Sequence, residues 1–544
     1  MEGDCMRNTT RATGVATILG ALLATGQPAL ASPVPTFEVP AKFAEQRIQW
    51  APCFAGELPP ELPPGSERLE CGTLAAPMDW HNPNNGGEIS IAVSRLPATG
   101  GPSDRALFTN PGGPGGAGLA MPLAMLSINR PELPANFDIY GIDVRGTGRS
   151  STVSCGPQRQ PNLDVRDRDP ANIQALMDLN RQFAADCQQH SGELGRYVTT
   201  EQTVADLDLL RQVERREKIN WYGVSGGTWL GAYFATYFPR SVDKVVLDSN
   251  AEFTGSWQDV FGWQPMAFER RWRADVLPWL AAHDANYHLG TDPAQVQATV
   301  DGLRAALKAN PLPVPDGPPV DHNALDVLVL QSMYSKSAFP RLGDTLAALR
   351  EGAGEAAPVL AQARSRTMPM QATDPMDSQT ATLFSIRCND TAFRGTPESV
   401  VAQSGIQGWK FPTYGYYSIS QPCLYWERPD VSLPTPTGAG VPPVLMLHSE
   451  HDPATAFEGA EIAHRQFQGS RLVTVRNEGD HGVYGIGNAC VDDVVEGYLI
   501  DGRVPEGDLT CEGLPAPEPV QPHGFAPTGR SLLDVLEDLA GVLG

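Results

Sequence analysis

Residues 219–239 read INWYGVSGGTWLGAYFATYFP. A short β-prone run, Ile219–Tyr222, meets the pentad Gly223-Val224-Ser225-Gly226-Gly227, and a helix-prone run follows until Pro239. A serine at the tip of a tight strand-to-helix turn sits in strained backbone, so its neighbours must be small enough for strand and helix to pass closely. The same turn aims the Gly226 amide and the positive end of the helix at the place where an oxyanion forms. Ser225 is therefore the candidate nucleophile. With 54 glycines in 544 residues a G-x-S-x-G recurs by chance, so the surrounding chain has to carry the reading.

Upstream, Val204, Leu207, Leu210 and Val213 fall at helical spacing in 200–217 and form a core-facing stripe that delivers the chain to the strand before Ser225. Downstream, Lys244–Leu247 supplies another strand, and strands alternating with helices predict a mostly parallel sheet. Farther out, Ala106–Thr109 is a buried-type strand that runs into the glycine-rich loop 110–118. Such a loop brings a backbone amide, that of Gly113 or Gly112, opposite the nucleophile as a second oxyanion donor. Its Gly113, Gly115 and Gly118 also make a formal G-x-G-x-x-G with Asp138 twenty residues on. The dinucleotide reading is set aside because Pro114 occupies the tight turn and Asp138 opens the next strand instead of closing it. Phe137–Asp143 is that strand, and the turn-rich 143–150 after it reads as a loop pinned by an Arg145 ion pair. Thr73–Trp80 and Ile89–Leu96 form a candidate edge pair, Val444–His448 restores the sheet late in the chain, and Arg471–Val475 reads as the last strand.

Between about 251 and 429 the rhythm changes to helical stretches rich in aromatic residues, from Trp257 to Trp426, which suits an inserted helical cap with aromatic walls. At the N-terminus, Arg7 and Arg11 precede the apolar run 12–23 and the small-x-small Ala29-Leu30-Ala31, the pattern of a secretory leader. Of nine cysteines Cys5 lies in that leader, leaving an even eight. Nearest-neighbour pairing gives Cys53–Cys71, Cys155–Cys187, Cys388–Cys423 and Cys490–Cys511, in keeping with an oxidising compartment. The expected organisation is a leader over 1–31, a core split between 32–250 and 430–511, a helical insertion over 251–429, and a tail over 512–544. In the tail, Leu532, Leu536, Leu539 and Leu543 share one helical face. A net charge of −23 disfavours nucleic acid and anionic membranes as partners, and mean hydropathy of −0.24 describes an ordinary globular chain. No metal-binding or cofactor-binding pattern stands out; no cofactor and a monomeric state are expected.

Hydrolytic triads on α/β sheets follow the order Ser, acid, His, with the acid and the base on loops after late strands. Asp452 and His481 occupy those places, with room between them for one helix and one strand. Asp480, Glu450, His448 and His451 are the competing choices, each worse placed by that rule.

The runs 71–80, 110–116 and 143–150, the pentad around Ser225, Cys388-Asn389-Asp390, and the late Asp452, His481, Cys490 and Cys511 together resemble the secreted tripeptidyl aminopeptidases. The resemblance implies an α/β-hydrolase fold and a serine exopeptidase, related to the prolyl aminopeptidases, that removes short peptides from free N-termini. One departure is Gly226, where members of the group often carry an aromatic residue after the nucleophile. Recognition of a substrate ammonium calls for cap carboxylates, for which Asp390 and Glu269 are the candidates. Two other readings share the scaffold: an esterase or small-molecule amide or lactone hydrolase with the same triad, and a binding protein that has lost catalysis.

Overall fold

The computed structural model describes residues 35–54, 62–128, 130–157, 163–314, 317–352, 356–365 and 375–519. The expected leader and the Ser531–Leu543 helix lie outside them.

The sheet is built around β6, Ile219–Val224, every residue of which is buried. Ile219 and Trp221 pack into one hydrophobic cluster, and Tyr222 and Val224 into another on the opposite side. A strand covered on both faces has no polar side to show, which is why this stretch reads as a continuous apolar run. Its neighbours are β4 (Ala106–Asn110) and β7 (Val242–Asp248), both parallel to it. Beyond β4 comes β5 (Asp138–Ile142), also parallel, and then an antiparallel edge of β3 (Glu88–Leu96), β2 (Glu70–Pro77) and β1 (Ala51–Pro52). Beyond β7 lie β10 (Val444–Ser449), β11 (Ser470–Arg476) and β12 (Leu509–Glu512), all parallel. The order is β1-β2-β3-β5-β4-β6-β7-β10-β11-β12. The Thr200–Val213 helix and the Gly226–Tyr237 helix contribute Leu207, Leu210, Trp229 and Phe234 to one face. The Met121–Ser127 and Ala489–Asp501 helices cover the other through Met121, Leu123, Val495 and Tyr498. This is an α/β-hydrolase fold with a mainly helical insertion between β7 and β10.

Three elements depart from the sequence reading. Arg471–Val475 is not the last strand: β12 follows it, and the Cys490–Cys511 disulfide joins the helix before β12 to that strand. The insertion holds a small hairpin, β8 (Leu312–Val314) with β9 (Gly317–Val320), among its helices. The cap also takes in chain from outside 251–429. The Pro170–Gly195 helix, between β5 and β6, packs Leu176 and Met177 on Val400 and Ile419 of the insertion, and Asn180 Nδ2 donates to the Ile419 carbonyl. Its mostly polar sequence leaves a narrow apolar stripe that is poorly visible in the pattern of residues. Cys53–Cys71, Cys155–Cys187 and Cys388–Cys423 complete the nearest-neighbour set of disulfides.

Candidate active site

Ser225 joins β6 to the Gly226–Tyr237 helix with φ 58° and ψ −124°, backbone that costs a non-glycine residue about 1–3 kcal/mol. Bonds on both sides hold it there. Its amide donates to the Asp248 carbonyl at 2.9 Å, and its own carbonyl accepts from the Thr228 hydroxyl at 2.5 Å and the Thr228 amide at 2.9 Å. The flanking glycines are required by contact: a Cβ at 223 would lie 2.4 Å from the Gly227 carbonyl, and one at 227 would lie 2.6 Å from that of Asn110. Strand, helix and the 110–118 loop therefore meet backbone to backbone.

The loop brings Gly113 to Ser225. A Cβ on Gly226 would stand 3.1 Å from the Gly113 nitrogen, and both glycines line one cavity with Ser225. Neither amide donates to a protein acceptor among the described residues. The Gly112 amide is spent on the Asn110 Oδ1 at 2.9 Å, which removes it as an oxyanion donor and leaves Gly113. Asp143 clamps the loop from behind by accepting from the amides of Gly118, Leu119 and Arg149. Arg145 is buried in a two-pronged ion pair with Asp206, both contacts at 2.7 Å. Asp138 is bound to Arg216 and to the Ala98 amide at the far end of β5, away from the glycine loop.

The Nδ1 of His481 lies 2.9 and 3.0 Å from the two Asp452 oxygens, with both residues buried. Asp452 also accepts from the amides of Ala454 and Thr455 and from the Thr455 hydroxyl. Burial works to raise this carboxyl, but the charge and hydrogen bond of His481 and the Thr455 donors outweigh it and hold it at about 2. The ring is thus fixed through Nδ1, and Nε2 makes no hydrogen bond among the described residues. Two further contacts set its position. The Asp248 carboxylate accepts from the amides of Val483 and Tyr484, and the His481 amide donates to the Tyr334 carbonyl of the cap at 2.8 Å. The Tyr334 ring stands edge-on to the imidazole with centroids 5.3 Å apart.

The competing groups are occupied elsewhere. His448 accepts from the Asn250 amide and donates to the Thr455 carbonyl; burial lowers it to about 4, so it is neutral and structural. His451 contacts Asp275, and Asp480 receives the Arg271 guanidinium and the Lys336 amide. Glu450 accepts from the Asn477 amide.

A cavity of about 1010 Å³ opens over Ser225, Gly113 and Gly226, at the upper end of the roughly 300–1,000 Å³ typical of ligand pockets. Its cap-side wall includes Trp257, Trp263, Tyr334, Tyr414 and Tyr417 together with seven glutamines, donors and acceptors suited to uncharged polar groups such as peptide bonds. Four charged side chains line it: Glu252, Asp259, Arg387 and Arg394. Asp259 is paired with Arg394 and caps a helix through Ser256. Glu252 accepts the Trp263 indole at 2.7 Å, and burial raises its carboxyl. No group of three or more potential metal ligands occurs among the described residues.

Comparison with known proteins shows the family of the chain. The profile of the family described as TAP-like protein matches residues 411–511. The tripeptidyl aminopeptidase of Streptomyces lividans is 34% identical over 494 residues, which cover 88% of this chain and 89% of that protein. The chain belongs to the tripeptidyl aminopeptidase family. The serine protease Hip1 of Mycobacterium tuberculosis is 27% identical over 87% of the chain and 93% of its own length. Carboxylesterase B of the same organism is 30% identical over 81% and 86%. The chain is accordingly a serine hydrolase of the aminopeptidase type.

For a member of the tripeptidyl aminopeptidase family, the two residues expected to bind the substrate amine sit in the wrong places. Asp390 is buried behind the cavity wall, where it accepts from the amide and hydroxyl of Thr200 and from the Trp257 indole. Glu269 is tied to Arg273 and to the Thr413 amide. Neither lines the cavity; of the two acids that do, Asp259 is paired with Arg394, and Glu252 keeps one carboxylate oxygen without a hydrogen bond among the described residues. Sequence reading also missed Asp248, Thr455, Tyr334 and Arg387. Asp248 left a trace as an acid directly after the apolar run Val245–Leu247, and Thr455 lies only three residues beyond Asp452; Tyr334 and Arg387 reach the site through tertiary packing.

Proposed function

We propose that this protein is an exported exopeptidase that releases short peptides, tripeptides foremost, from free N-termini through an acyl-enzyme on Ser225. The observation that carries the reading is the buried Asp452–His481 pair together with a strained serine that lines a capped chamber. His481 Nε2 takes the Ser225 proton as Oγ attacks the scissile carbonyl. The amides of Gly226 and Gly113 stabilise the oxyanion, and the imidazolium, held by Asp452, then protonates the leaving amine. Water repeats the sequence to free the acid product. Glu252 is the receptor for the substrate ammonium, and the four disulfides favour an extracellular setting.

Matched peptides with free and acetylated N-termini test the proposal, with Ser225→Ala as the blank. Release of tripeptides from the free-amine set alone is the expected result, with Glu252→Gln raising KM on that set. Equal cleavage of both sets would overturn it. Activity confined to simple esters would instead favour the esterase reading, for which the likeness to a carboxylesterase speaks.

A further inference from the structure

Of the four charged side chains in the cavity wall, Glu252 is taken by the amine-binding assignment and Asp259 and Arg394 pair with each other, which leaves Arg387. It stands on the Pro375–Asp390 helix, with its guanidinium carbon 3.6 Å from the Phe261 ring centroid and 5.1 Å from that of Phe384. It makes no ion pair and no hydrogen bond to another residue among the described residues, although a guanidinium carries five N–H donors. The chain does not lack acids, with 63 Asp and Glu against 40 Lys and Arg. Its cavity neighbour Arg394 takes Asp259, whereas Arg387 has only aromatic faces. Burial lowers it to about 10, which leaves it cationic at neutral pH.

A half-buried cation held by aromatic rings in the wall of a cavity is arranged to receive an anion brought in by the ligand. We infer that Arg387 binds a carboxylate carried on the acyl portion of the substrate, so that the chamber selects acyl groups bearing an acidic side chain. With Glu252 at another point on the same wall, the chamber holds one receptor for a cation and one for an anion. In a peptide the anion is the side chain of Asp or Glu; in a non-peptide ester it is a terminal carboxylate on the acyl chain. The peptide form of this inference rests on the exopeptidase reading, and the ester form does not.

The test uses the full-length enzyme and two substrate sets. One is free-amine tripeptide p-nitroanilides with Glu, Gln or Ala at each position in turn. The other is p-nitrophenyl esters of ω-carboxy acids of graded length, each beside its neutral methyl-ester counterpart. In the wild type, one position or one chain length is expected to favour the charged member in kcat/KM by about tenfold or more, the effect of a charge-assisted contact. Arg387→Gln brings that ratio to about one, and Arg387→Lys retains part of it. The ratio is taken within one protein sample, so a reduced folded fraction cancels. A wild-type ratio near one in both sets, or a ratio that Arg387→Gln leaves intact, overturns the inference. Cleavage of the Gln and Ala tripeptides decides the exopeptidase reading separately. If only esters are cleaved, that reading fails and the ester ratio still decides the role of Arg387.

Discussion

Changing Asp248 to asparagine keeps the shape of the side chain while removing its charge and one of its two acceptor atoms. One carboxylate oxygen accepts from the Tyr222 hydroxyl at 2.9 Å, the Tyr484 amide at 3.0 Å and the Val483 amide at 3.1 Å; the other accepts from Val483 at 3.0 Å. An asparagine carbonyl in the first position keeps those contacts in weaker, neutral form and turns its NH2 group toward the Val483 donor. An unsatisfied buried donor costs roughly 1–3 kcal/mol. The loss is partly offset because burial had pushed the Asp248 carboxyl up, a desolvation cost that a neutral amide avoids. A net destabilisation of about 2 kcal/mol is expected, equivalent in a chain this long to a fall in Tm on the order of 2 °C. The larger effect is on the base. Val483 and Tyr484 anchor the segment that carries His481, and the Asp248 carbonyl holds the Ser225 amide, so loosening this point separates nucleophile from base. A misplacement approaching 1 Å costs on the order of 100-fold in turnover, so kcat is expected to fall between about 10- and 100-fold. Steady-state kinetics on a neutral tripeptide p-nitroanilide, with a thermal melt of the same sample, measure both. An Asp248→Asn enzyme with wild-type kcat and wild-type Tm would refute the assignment of this residue as the tie between elbow and base loop.

Three further expectations follow from the geometry. Asp452→Asn exchanges an acceptor for a donor opposite His481 Nδ1 and selects the wrong tautomer, so kcat should drop by about four orders of magnitude with little change in secondary structure; a loss below tenfold would remove Asp452 from the triad. His448 is held down at about 4 against an unfolded value of 6.5, so the unfolded chain binds the extra proton between those limits and stability is lost as pH falls through them. That contribution is roughly 3 kcal/mol, and urea unfolding at pH 4.5 and 7 should show a smaller pH difference in His448→Asn than in the wild type. Gly227→Ala places a Cβ 2.6 Å from the Asn110 carbonyl and must push the 110–118 loop away from the elbow; lowered kcat at nearly unchanged KM is the expected signature, and unaltered kinetics would show that the two backbones need not touch.

The parts of this molecule legible in sequence are those whose chemistry is local. The strained turn around Ser225 needs glycines on either side of it, and a strand buried on both faces needs an unbroken apolar run, so both leave marks in consecutive letters. Asp452 and His481 are legible because they follow late strands in a set order. The cap is different. Whether Asp390, Glu269 or Glu252 faces the chamber depends on how helices rotate against one another, and an acid that caps Thr200 looks the same in sequence as one that awaits a ligand. The Pro170–Gly195 helix escaped notice for a related reason: it is clasped between the core and the insertion on a thin apolar stripe, so its polar residues dominate the pattern. Strand β12 is only four residues long and owes its place to a disulfide partner and the neighbouring β11.

The bond from the His481 amide to the Tyr334 carbonyl bears on how such enzymes can be re-engineered. A cap is tempting to treat as an interchangeable specificity module, to be swapped between relatives while the catalytic machinery stays behind. In this protein the boundary between module and machine runs through the imidazole's own backbone. A graft that brings new walls for the chamber must also bring an acceptor at the position of residue 334, or the recipient gains a new substrate preference with an imidazole that is no longer held in place.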